Sequence, residues 1–327
     1  MVHPDKSLSL FDTFGRVHNY LRISLIDTCN FSCTYCVPHQ KPGKKKSDEL
    51  MSAQEIYDIA GTFVKLGVDK IRLTGGEPTL RKDFGQIIRK LSEYPVQITL
   101  TTNGFLLHQF IDDLEMAGVK SLNVSIDSLK EERFNSISKT KGFKQVYGNI
   151  FLLLEKGFHV KLNIVLMRGV NDDEVDDFIE LTKDYPLHVR FIEFMPFTDN
   201  EWEKNKVISF QELIEHLGEK YDLVKLPDQL HDTTKKYKVI GYKGTLAVIS
   251  SVSNPFCSGC NRLRISADGK MRNCLFAQTN IDLLTPFRKG EDIVPLITQN
   301  VKDKAFQYGG QQMTSDIKNS QMLLIGG

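Results

Sequence analysis

The sequence lacks the features that mark several common classes of protein. Its 327 residues contain no apolar run close to the roughly 20 residues that cross a bilayer, so no membrane-spanning segment is expected. The 42 basic residues against 41 acidic ones leave a net charge of +1, which gives no electrostatic reason to bind nucleic acid or an anionic membrane. The first ten residues show no apolar signal segment. We therefore expect a cytoplasmic protein with a sizeable core.

Cysteine is scarce, but its placement is ordered. The six cysteines form two sets of three: Cys29, Cys33 and Cys36, then Cys257, Cys260 and Cys274. A disulfide framework is not expected in a reducing compartment, and a chain of this length does not need one. Three thiolates can hold an iron–sulfur cluster, and in a cubane they leave the fourth iron open to a small molecule. The spacing therefore predicts two clusters, each with one open iron.

Zinc is the alternative metal. A structural zinc ion takes four ligands, and only His39, three residues beyond Cys36, could complete a set. A zinc-binding interaction module would account for the close cysteine pairs but not for the third cysteine of each set. Both readings of the cysteines stay open at this level.

Short β-rich runs alternate with helical stretches between residues 21 and 194. The runs are 21–26, 70–74, 97–101, 121–126, 160–166 and 188–194. Helical periodicity follows a capping box at Ser52 and Glu55 and returns at about 83–92, 105–117, 143–156 and 173–184. This alternation predicts an α/β fold with a parallel sheet and right-handed crossovers, in the form of a partial (β/α)6 TIM-like barrel.

The pattern changes near residue 197. A helix is predicted over 209–219, and 236–241 with 245–250 reads as an antiparallel hairpin. We therefore expect two domains. Residues 1–197 would form the barrel with an N-terminal arm, and 198–327 a C-terminal α+β extension that carries substrate contacts and the second cluster.

Several polar residues fall where a barrel of this kind binds ligands. Gly75 and Gly76 follow the second predicted strand and permit close backbone approach. Arg72, Lys161 and Arg190 stand inside otherwise apolar strands. Such charges can be paired structural ions, but three together favour an anionic ligand inside the barrel.

Two arginines stand among the second set of cysteines. Arg262 and Arg264 lie between Cys260 and Cys274. Guanidinium groups there could hold phosphate or the acceptor edge of a purine. Ordinary surface arginines are the alternative.

The motifs together resemble those of the radical S-adenosylmethionine enzymes, and among them the family of GTP 3',8-cyclases that begin molybdenum cofactor biosynthesis. The likeness extends from about Phe14 to the last glycine. It rests on Gly15-Arg16, residues 21–24, Cys29-x3-Cys33-x2-Cys36, 71–78 with Gly-Gly-Glu-Pro, 101–104, 123–127, 190–195, 256–264 and the terminal Gly326-Gly327. Two departures are Thr28, where arginine is common, and Val37, where methionine is common; neither removes a ligand.

The resemblance implies a barrel of the radical S-adenosylmethionine type and a role for individual residues. Each cysteine set would hold a [4Fe–4S] cluster, and S-adenosylmethionine would bind at the first. The implied S-adenosylmethionine contacts are Tyr35, Gly76, Ser125 and Met195, and the implied GTP contacts are Arg22, Arg72, Thr101, Lys161, Arg262, Leu263 and Arg264. Arg72 and Lys161 would meet the triphosphate from strand ends. Arg262, Arg264, Gly326 and Gly327 would be catalytic, and Arg190 has no implied role.

The resemblance also implies a reaction and its partners. The reduced first cluster would cleave S-adenosylmethionine to a 5'-deoxyadenosyl radical, which would remove the ribose 3' hydrogen of GTP so that C3' bonds to C8 of guanine. An electron donor such as flavodoxin or ferredoxin, a homodimer, and transfer of product to cyclic pyranopterin monophosphate synthase are expected. The alternative enzyme is a radical S-adenosylmethionine maturase that modifies a peptide, which gives no reason for the Gly-Gly terminus.

Overall fold

Twelve strands in the described part of the chain form one continuous sheet. The structure is a computed structural model that describes residues 9–36, 45–229, 231–314, 317 and 322–325. The strands are β1 (Tyr20–Ser24), β2 (Lys70–Thr74), β3 (Gln97–Thr102), β4 (Ser121–Ser125), β5 (His159–Leu166), β6 (His188–Glu193), β7 (Leu223–Lys225), β8 (Lys235–Val239), β9 (Thr245–Ile249), β10 (Arg262–Ile265), β11 (Lys270–Arg272) and β12 (Ile281–Asp282).

The helices of the described residues lie mainly between the strands. They are α1 (Ala53–Lys65), α2 (Phe84–Leu91), α3 (Ile111–Met116), α4 (Glu131–Ser138), α5 (Phe143–Glu155), α6 (Val175–Asp184), α7 (Phe210–Lys220), α8 (Leu284–Arg288), α9 (Val294–Lys302) and α10 (Met322–Ile325). The predicted capping box begins α1: Ser52 Oγ accepts from Glu55 N at 3.2 Å, and Glu55 Oε2 accepts from Ser52 N at 2.7 Å. None of these helices is long and apolar enough to span a bilayer.

The sheet order confirms the predicted partial barrel. The strands run β12-β11-β10-β1-β2-β3-β4-β5-β6-β9-β8-β7, and the pairings from β10 through β1–β6 to β9 are all parallel. Antiparallel strands flank this parallel region on each side. Among the described strands the two ends of the sheet do not pair, so the barrel is open.

Side chains alternate along the parallel strands between a polar inner face and an apolar outer face. On β1, Tyr20 and Arg22 face inward, whereas Leu21 and Ile23 face outward and are 0% and 1% exposed. The same alternation holds on the strands beside it because residues paired in parallel register point the same way. The outer face and the helices that cover it form the hydrophobic core.

Local patterns predict the first six strands and most of their helices to within a few residues, but not α4, β7, β10 to β12 or α8 to α10. Helix α4 reads Glu-Glu-Arg-Phe-Asn-Ser-Ile-Ser, and only Phe134 and Ile137 mark its apolar side. The predicted hairpin is confirmed as β8 and β9. Its second strand also pairs in parallel with β6, so the sheet continues across residue 197, and the domain boundary there stays a prediction.

Glu193 joins the barrel to the C-terminal part of the chain. This carboxylate, 2% exposed, ends β6. It accepts hydrogen bonds from Phe210 N at 3.1 Å, Val252 N at 2.6 Å and Ser253 N at 2.9 Å, and one from the Ser253 hydroxyl. It therefore fixes the start of α7 and the loop after β9 to the carboxyl end of β6.

Replacing Glu193 with alanine is expected to lower the free energy of unfolding by about 3 kcal/mol, because buried donors lose a charged acceptor. Urea denaturation of the iron-free protein measures this difference. Glu219→Ala, at an exposed position on α7, is the matched control and should change stability by no more than about 0.5 kcal/mol. Equal stability of E193A and wild type would contradict the role assigned to Glu193.

Candidate active site

A single cavity of about 650 Å³ occupies the inner face of the sheet and is lined by all six cysteines. The same cavity is lined by inward-facing residues from each of β1 to β6 and by Arg262 and Arg264 of β10. Six thiols far apart in sequence therefore share one space. All six are free of disulfides.

The two cysteine sets lie at opposite ends of this cavity. The first set follows the carboxyl end of β1. Cys260 precedes β10, which is parallel to β1 with Arg262 opposite Tyr20, so it lies at the amino end of β1. Because β1 has five residues and a strand rises about 3.3 Å per residue, the two ends are separated by roughly 15 Å along the strand.

The hairpin of β10 and β11 explains the spacing of the second set. These strands are antiparallel, with Arg264 opposite Arg272. The chain therefore leaves along β10 and returns along β11, which brings Cys274 back to the end where Cys257 and Cys260 lie. A cysteine distant in sequence becomes the third member of the set.

The first cysteine loop is held by backbone contacts with α4. Ser32 N donates to Ser138 O at 3.0 Å, and Thr34 N donates to Ile137 O at 3.0 Å. Within the loop, Cys36 N donates to Cys33 O at 2.9 Å. The helix that local patterns missed thus positions the first three thiols.

The Gly75-Gly76 turn packs tightly against the end of β1. A Cβ on Gly75 would lie 2.7 Å from Ile26 O, so this position accepts only glycine without a shift of the backbone. Gly76 N donates to the same carbonyl at 2.7 Å. The turn therefore borders the cavity beside the first cysteines with its backbone exposed to a ligand.

Glu77 anchors the loops around that turn. It is fully buried and accepts from Thr102 Oγ1 at 2.7 Å and from Asn103 N at 2.6 Å. Burial raises the pKa of Glu77, and the hydrogen bonds oppose that rise. Asn103 in turn donates to Asn30 Oδ1 at 2.7 Å in the cysteine loop, so one carboxylate aligns the ends of β2 and β3 with that loop.

Asn200 joins two of the residues implied to contact S-adenosylmethionine. Its side-chain nitrogen donates to Tyr35 O at 3.2 Å and to Met195 O at 2.8 Å. The Tyr35 hydroxyl donates to Asp127 at 2.8 Å, whose pKa burial raises to about 6. Tyr35 and Met195 line the cavity near the first cysteines, together with Gly76 and Ser125.

Three arginines stand side by side on neighbouring strands. Arg264, Arg22 and Arg72 occupy one register row across β10, β1 and β2, and we call them the arginine row. Adjacent strands lie about 4.8 Å apart, so these guanidinium groups repel one another. Burial, with Arg264 as the nearest cation, lowers the pKa of Arg22.

Lys161 and Arg190 extend the positive charge across the barrel. Burial, then repulsion from Arg190 and Arg72, lowers the pKa of Lys161 to about 8. Burial, with Arg72, lowers the pKa of Arg190 to about 9. The Arg190 Nε is buried without a hydrogen-bond partner among the described residues. The cavity lining holds more arginine and lysine than aspartate and glutamate.

The structure corrects where two of these cations stand. Arg72 is the third residue of β2 and Lys161 the third of β5, so the expected position at strand ends is wrong. They reach the cavity because they face the inside of the barrel. Thr101 lies beside Arg72 and accepts from its Nη1 at 3.1 Å.

The side chain of Leu263 does not reach the cavity. It lies between Arg262 and Arg264 on β10, points to the outer face and is fully buried in the core. The expected substrate contact of Leu263 can therefore come only from its main chain. Gly326, Gly327, Val37 and His39 lie outside the described residues, and their roles stay predictions.

Arg262 contacts the second cysteine set directly. Its Nη2 donates to Cys260 Sγ at 3.4 Å, and its guanidinium lies 4.6 Å from the Phe256 ring centroid. Burial alone would raise the pKa of Cys260, but Arg262 and Lys304 outweigh it and lower that pKa to about 5. The neighbouring cations therefore favour the thiolate form of Cys260.

The donor sets consist of thiols, which are the ligands of iron–sulfur clusters. A cluster distributes its thiolates over several irons. Three cysteines at each end of one cavity are consistent with that requirement.

Tyr20 and Lys70 are cavity residues that the motifs did not point to. Arg72 Nε donates to the Tyr20 hydroxyl, and Lys70 Nζ lies 5.1 Å from the Tyr20 ring centroid. Burial would raise the pKa of Tyr20, but Arg72 and Arg22 outweigh it and lower the pKa to about 7. Each lies two residues before an arginine of the arginine row. Side chains two residues apart on a strand face the same side, and this rule could have identified both residues.

Two family models match the chain. The model described as Radical SAM superfamily matches residues 23–182. The model described as Molybdenum Cofactor Synthesis C matches residues 187–309. The first thus includes the first cysteine set and the second includes the other.

Relatives match over nearly the whole chain. "Molybdenum cofactor biosynthesis protein 1" of Bos taurus is 41% identical over 98% of this chain and 52% of that protein. "GTP 3',8-cyclase" of Peptoclostridium acidaminophilum is 37% identical over 99% of this chain and 100% of that protein. The chain spans about half the length of the first relatives it matches.

A solved structure supports the fold. Streptococcus suis SuiB bound to precursor peptide SuiA matches with a TM-score of 0.67 and 14% identity, over 97% of this chain and 70% of that one. At this identity the likeness confirms the radical S-adenosylmethionine fold and nothing further.

Tyr20 is expected to ionise near pH 7 in the iron-free protein. An ultraviolet pH titration should show one such phenol in the wild type and none in Tyr20→Phe, whereas Tyr185→Phe, a change at a residue outside the cavity lining, should retain it. Tripolyphosphate should raise this pKa, because an anion neutralises the cations that lower it. A wild type in which no phenol ionises below about pH 9 would contradict this expectation.

Proposed function

Because the chain belongs to the GTP 3',8-cyclase family of radical S-adenosylmethionine enzymes, we propose that it joins C3' and C8 of GTP, the first step of molybdenum cofactor biosynthesis. The observation that carries this proposal is the arginine row, which lies in one cavity between two three-cysteine sets. In this proposal Arg72, at the β2 side of the row, contacts the triphosphate, and Arg264, at the β10 side, contacts the guanine base; both parts of the nucleotide offer acceptors to guanidinium groups.

The cysteines are the groups that would hold the cofactors. Enzymes of this family use a [4Fe–4S] cluster and S-adenosylmethionine, which we assign to the first set, and we assign a second cluster to the other set. When bound, the first cluster and S-adenosylmethionine supply a 5'-deoxyadenosyl radical able to take the ribose 3' hydrogen of GTP. We assign contacts with S-adenosylmethionine to Tyr35, Gly76, Ser125 and Met195, which all line the cavity.

The middle of the barrel binds the triphosphate in this proposal. Arg72, Lys161 and Arg190 face inward from three strands, and Thr101 holds the Arg72 guanidinium in place. A bound triphosphate would offset the burial and the repulsion from Arg190 and Arg72 that lower the pKa of Lys161. The Nε of Arg190 has no hydrogen-bond partner among the described residues, so we assign Arg190 to triphosphate binding with Arg72 and Lys161. The family motif gives Arg190 no role.

The second cysteine end binds the guanine base. The Arg262 guanidinium lies 4.6 Å from the Phe256 ring centroid, and Arg264 lies on the same face of β10. Their guanidinium groups can donate to the acceptor edge of a purine. Arg22 lies between this end and the triphosphate, and Gly326 and Gly327 are assigned to catalysis from the family motif.

The chain's remaining task is to aim the substrate and exclude water. In this proposal the cations in the middle of the barrel hold the triphosphate and the second cysteine end holds the base, so the position of the ribose is fixed from both sides. The buried walls limit side reactions of a radical with solvent. An electron donor such as flavodoxin or ferredoxin, a homodimer, transfer of product to cyclic pyranopterin monophosphate synthase and a cytoplasmic location also belong to this proposal.

A peptide-modifying maturase is less well supported. The cavity lining carries an excess of cations, which a peptide backbone does not require, and the likeness to SuiB extends only to the fold. A zinc module does not explain a cavity bordered by both cysteine sets.

Anaerobic incubation of the reconstituted protein with GTP, S-adenosylmethionine and a reductant should yield the cyclised nucleotide, identified by mass spectrometry and NMR. ATP in place of GTP should give no cyclised product. The protein should hold about eight irons per chain, as two cubanes require. Stoichiometric zinc in colourless protein, or S-adenosylmethionine cleavage that GTP never diverts into product, would count against the proposal.

Changing Arg264 to alanine should reduce kcat/KM for GTP by at least about tenfold, because a charged hydrogen bond to the substrate is lost. Uncoupled cleavage of S-adenosylmethionine should continue, since the first cysteine set is untouched. Arg89→Ala, on the outer helix α2 where the side chain is 51% exposed, is the control and should behave as wild type. Cyclisation by R264A at the wild-type rate would refute the assignment of Arg264.

A further inference from the structure

Lys304 is a buried lysine behind the second cysteine set. It is 3% exposed and is not among the residues that line the cavity. Its Nζ lies 3.5 Å from Cys260 Sγ, 3.0 Å from Arg262 O and 3.4 Å from His18 Nδ1. It therefore touches a cysteine of the set without reaching the space where a substrate would bind.

The three neighbours of Lys304 match the hydrogen-bonding capacity of an ammonium group. An ammonium has three N–H donors and no acceptor, so the sulfur, the carbonyl and the ring nitrogen must all accept. His18 Nδ1 is then unprotonated, and His18 Nε2 carries the hydrogen that it donates to Asp12 Oδ2 at 3.0 Å. Burial and the nearby Lys304 lower the pKa of His18 to about 4, in agreement with a neutral ring.

Asp12 does not neutralise the charge of Lys304. Its carboxylate accepts from Arg16 Nε at 2.5 Å, and from the backbone of Phe14 at 2.9 Å and of Arg16 at 3.0 Å. The aspartate and the arginine therefore form an ion pair of their own, and the ring of His18 stands between that pair and Lys304. The acidic neighbours left to Lys304 are Cys260, whose Sγ lies 3.5 Å from Nζ, and Cys274.

Arg16 fixes this arrangement on both sides. Its Nη1 donates to Cys257 O at 2.8 Å and to Phe306 O at 2.7 Å, and its Nη2 donates to Ala305 O at 3.0 Å. One guanidinium thus ties the N-terminal arm to the cysteine loop and to the residues directly after Lys304. Arg16 of the Gly15-Arg16 motif therefore has a structural role, which is to hold these segments together.

We propose that Lys304 is a positioning residue whose fixed positive charge beside Cys260 raises the reduction potential of the cluster held by the second cysteine set. The inference rests on the proposed function, because it requires a cluster at that set. Reduction adds negative charge to a cluster, and cations and hydrogen bonds at its sulfur ligands favour the reduced form.

The test is a redox titration of the reconstituted full-length protein, followed by electron paramagnetic resonance, without GTP or S-adenosylmethionine. A variant in which Cys29, Cys33 and Cys36 are changed to alanine identifies the signal of the second cluster. Lys304→Met should leave about tenfold less of that cluster reduced at a fixed potential, a fall of about 59 mV for one electron. Lys304→Arg should keep the wild-type midpoint. Lys302→Met, an exposed position at the end of α9, should also keep it.

An unchanged midpoint in iron-loaded K304M overturns the inference and leaves the proposed function intact. If K304M does not hold iron, K304Q replaces it, and a wild-type midpoint in K304Q overturns the inference equally. Loss of iron from both neutral variants but not from K304R overturns the inference, because the charge would then be needed to hold the cluster rather than to set its potential. Loss from K304R as well overturns it, since shape would then matter rather than charge. Absence of iron from the wild-type second set removes the proposed function and this inference together.

Discussion

The alternation of side chains along the parallel strands is the constraint on which the rest of the structure depends. Leu21 and Ile23 pack outward under the helices, while Tyr20 and Arg22 on the same strand face the cavity. One face therefore provides the hydrophobic stabilisation, and the other is free to carry groups that would destabilise a core. The barrel can hold a row of like charges because its stability is supplied from the opposite side of the same strands.

The cations of the cavity lie near one another, an arrangement that favours an anionic ligand. Lys161 and Arg190 are each harder to protonate than usual because of burial and neighbouring cations. Such an interior is costly without a partner of opposite charge. The cations around the second cysteine set differ in having a thiol partner, because Arg262 and Lys304 both contact Cys260. There the cations already have a thiolate as their partner.

Local patterns were enough to predict the first six strands, the capping box of α1 and the two cysteine sets. They did not predict that β10 pairs with β1, because no local signal marks a partner more than two hundred residues away. The position of Lys304 depends on the same long-range pairing. Leu263 shows the limit of reading a motif as a block: between two inward arginines on a strand, its side chain must point outward. The same rule, applied to Arg22 and Arg72, would have found Tyr20 and Lys70.

Because of the β10–β11 hairpin, the two cysteine sets come together in different ways when the chain folds. The first set occupies a short loop next to β1, so its thiols are neighbours from the moment that segment exists. The second set is complete only after the β10–β11 hairpin has folded back, with Arg264 opposite Arg272. It joins the cavity when β10 adds to β1, a contact of high sequence separation that forms slowly. One set is thus assembled by a loop and the other by a hairpin, and the pairing of β10 with β1 places both on one cavity.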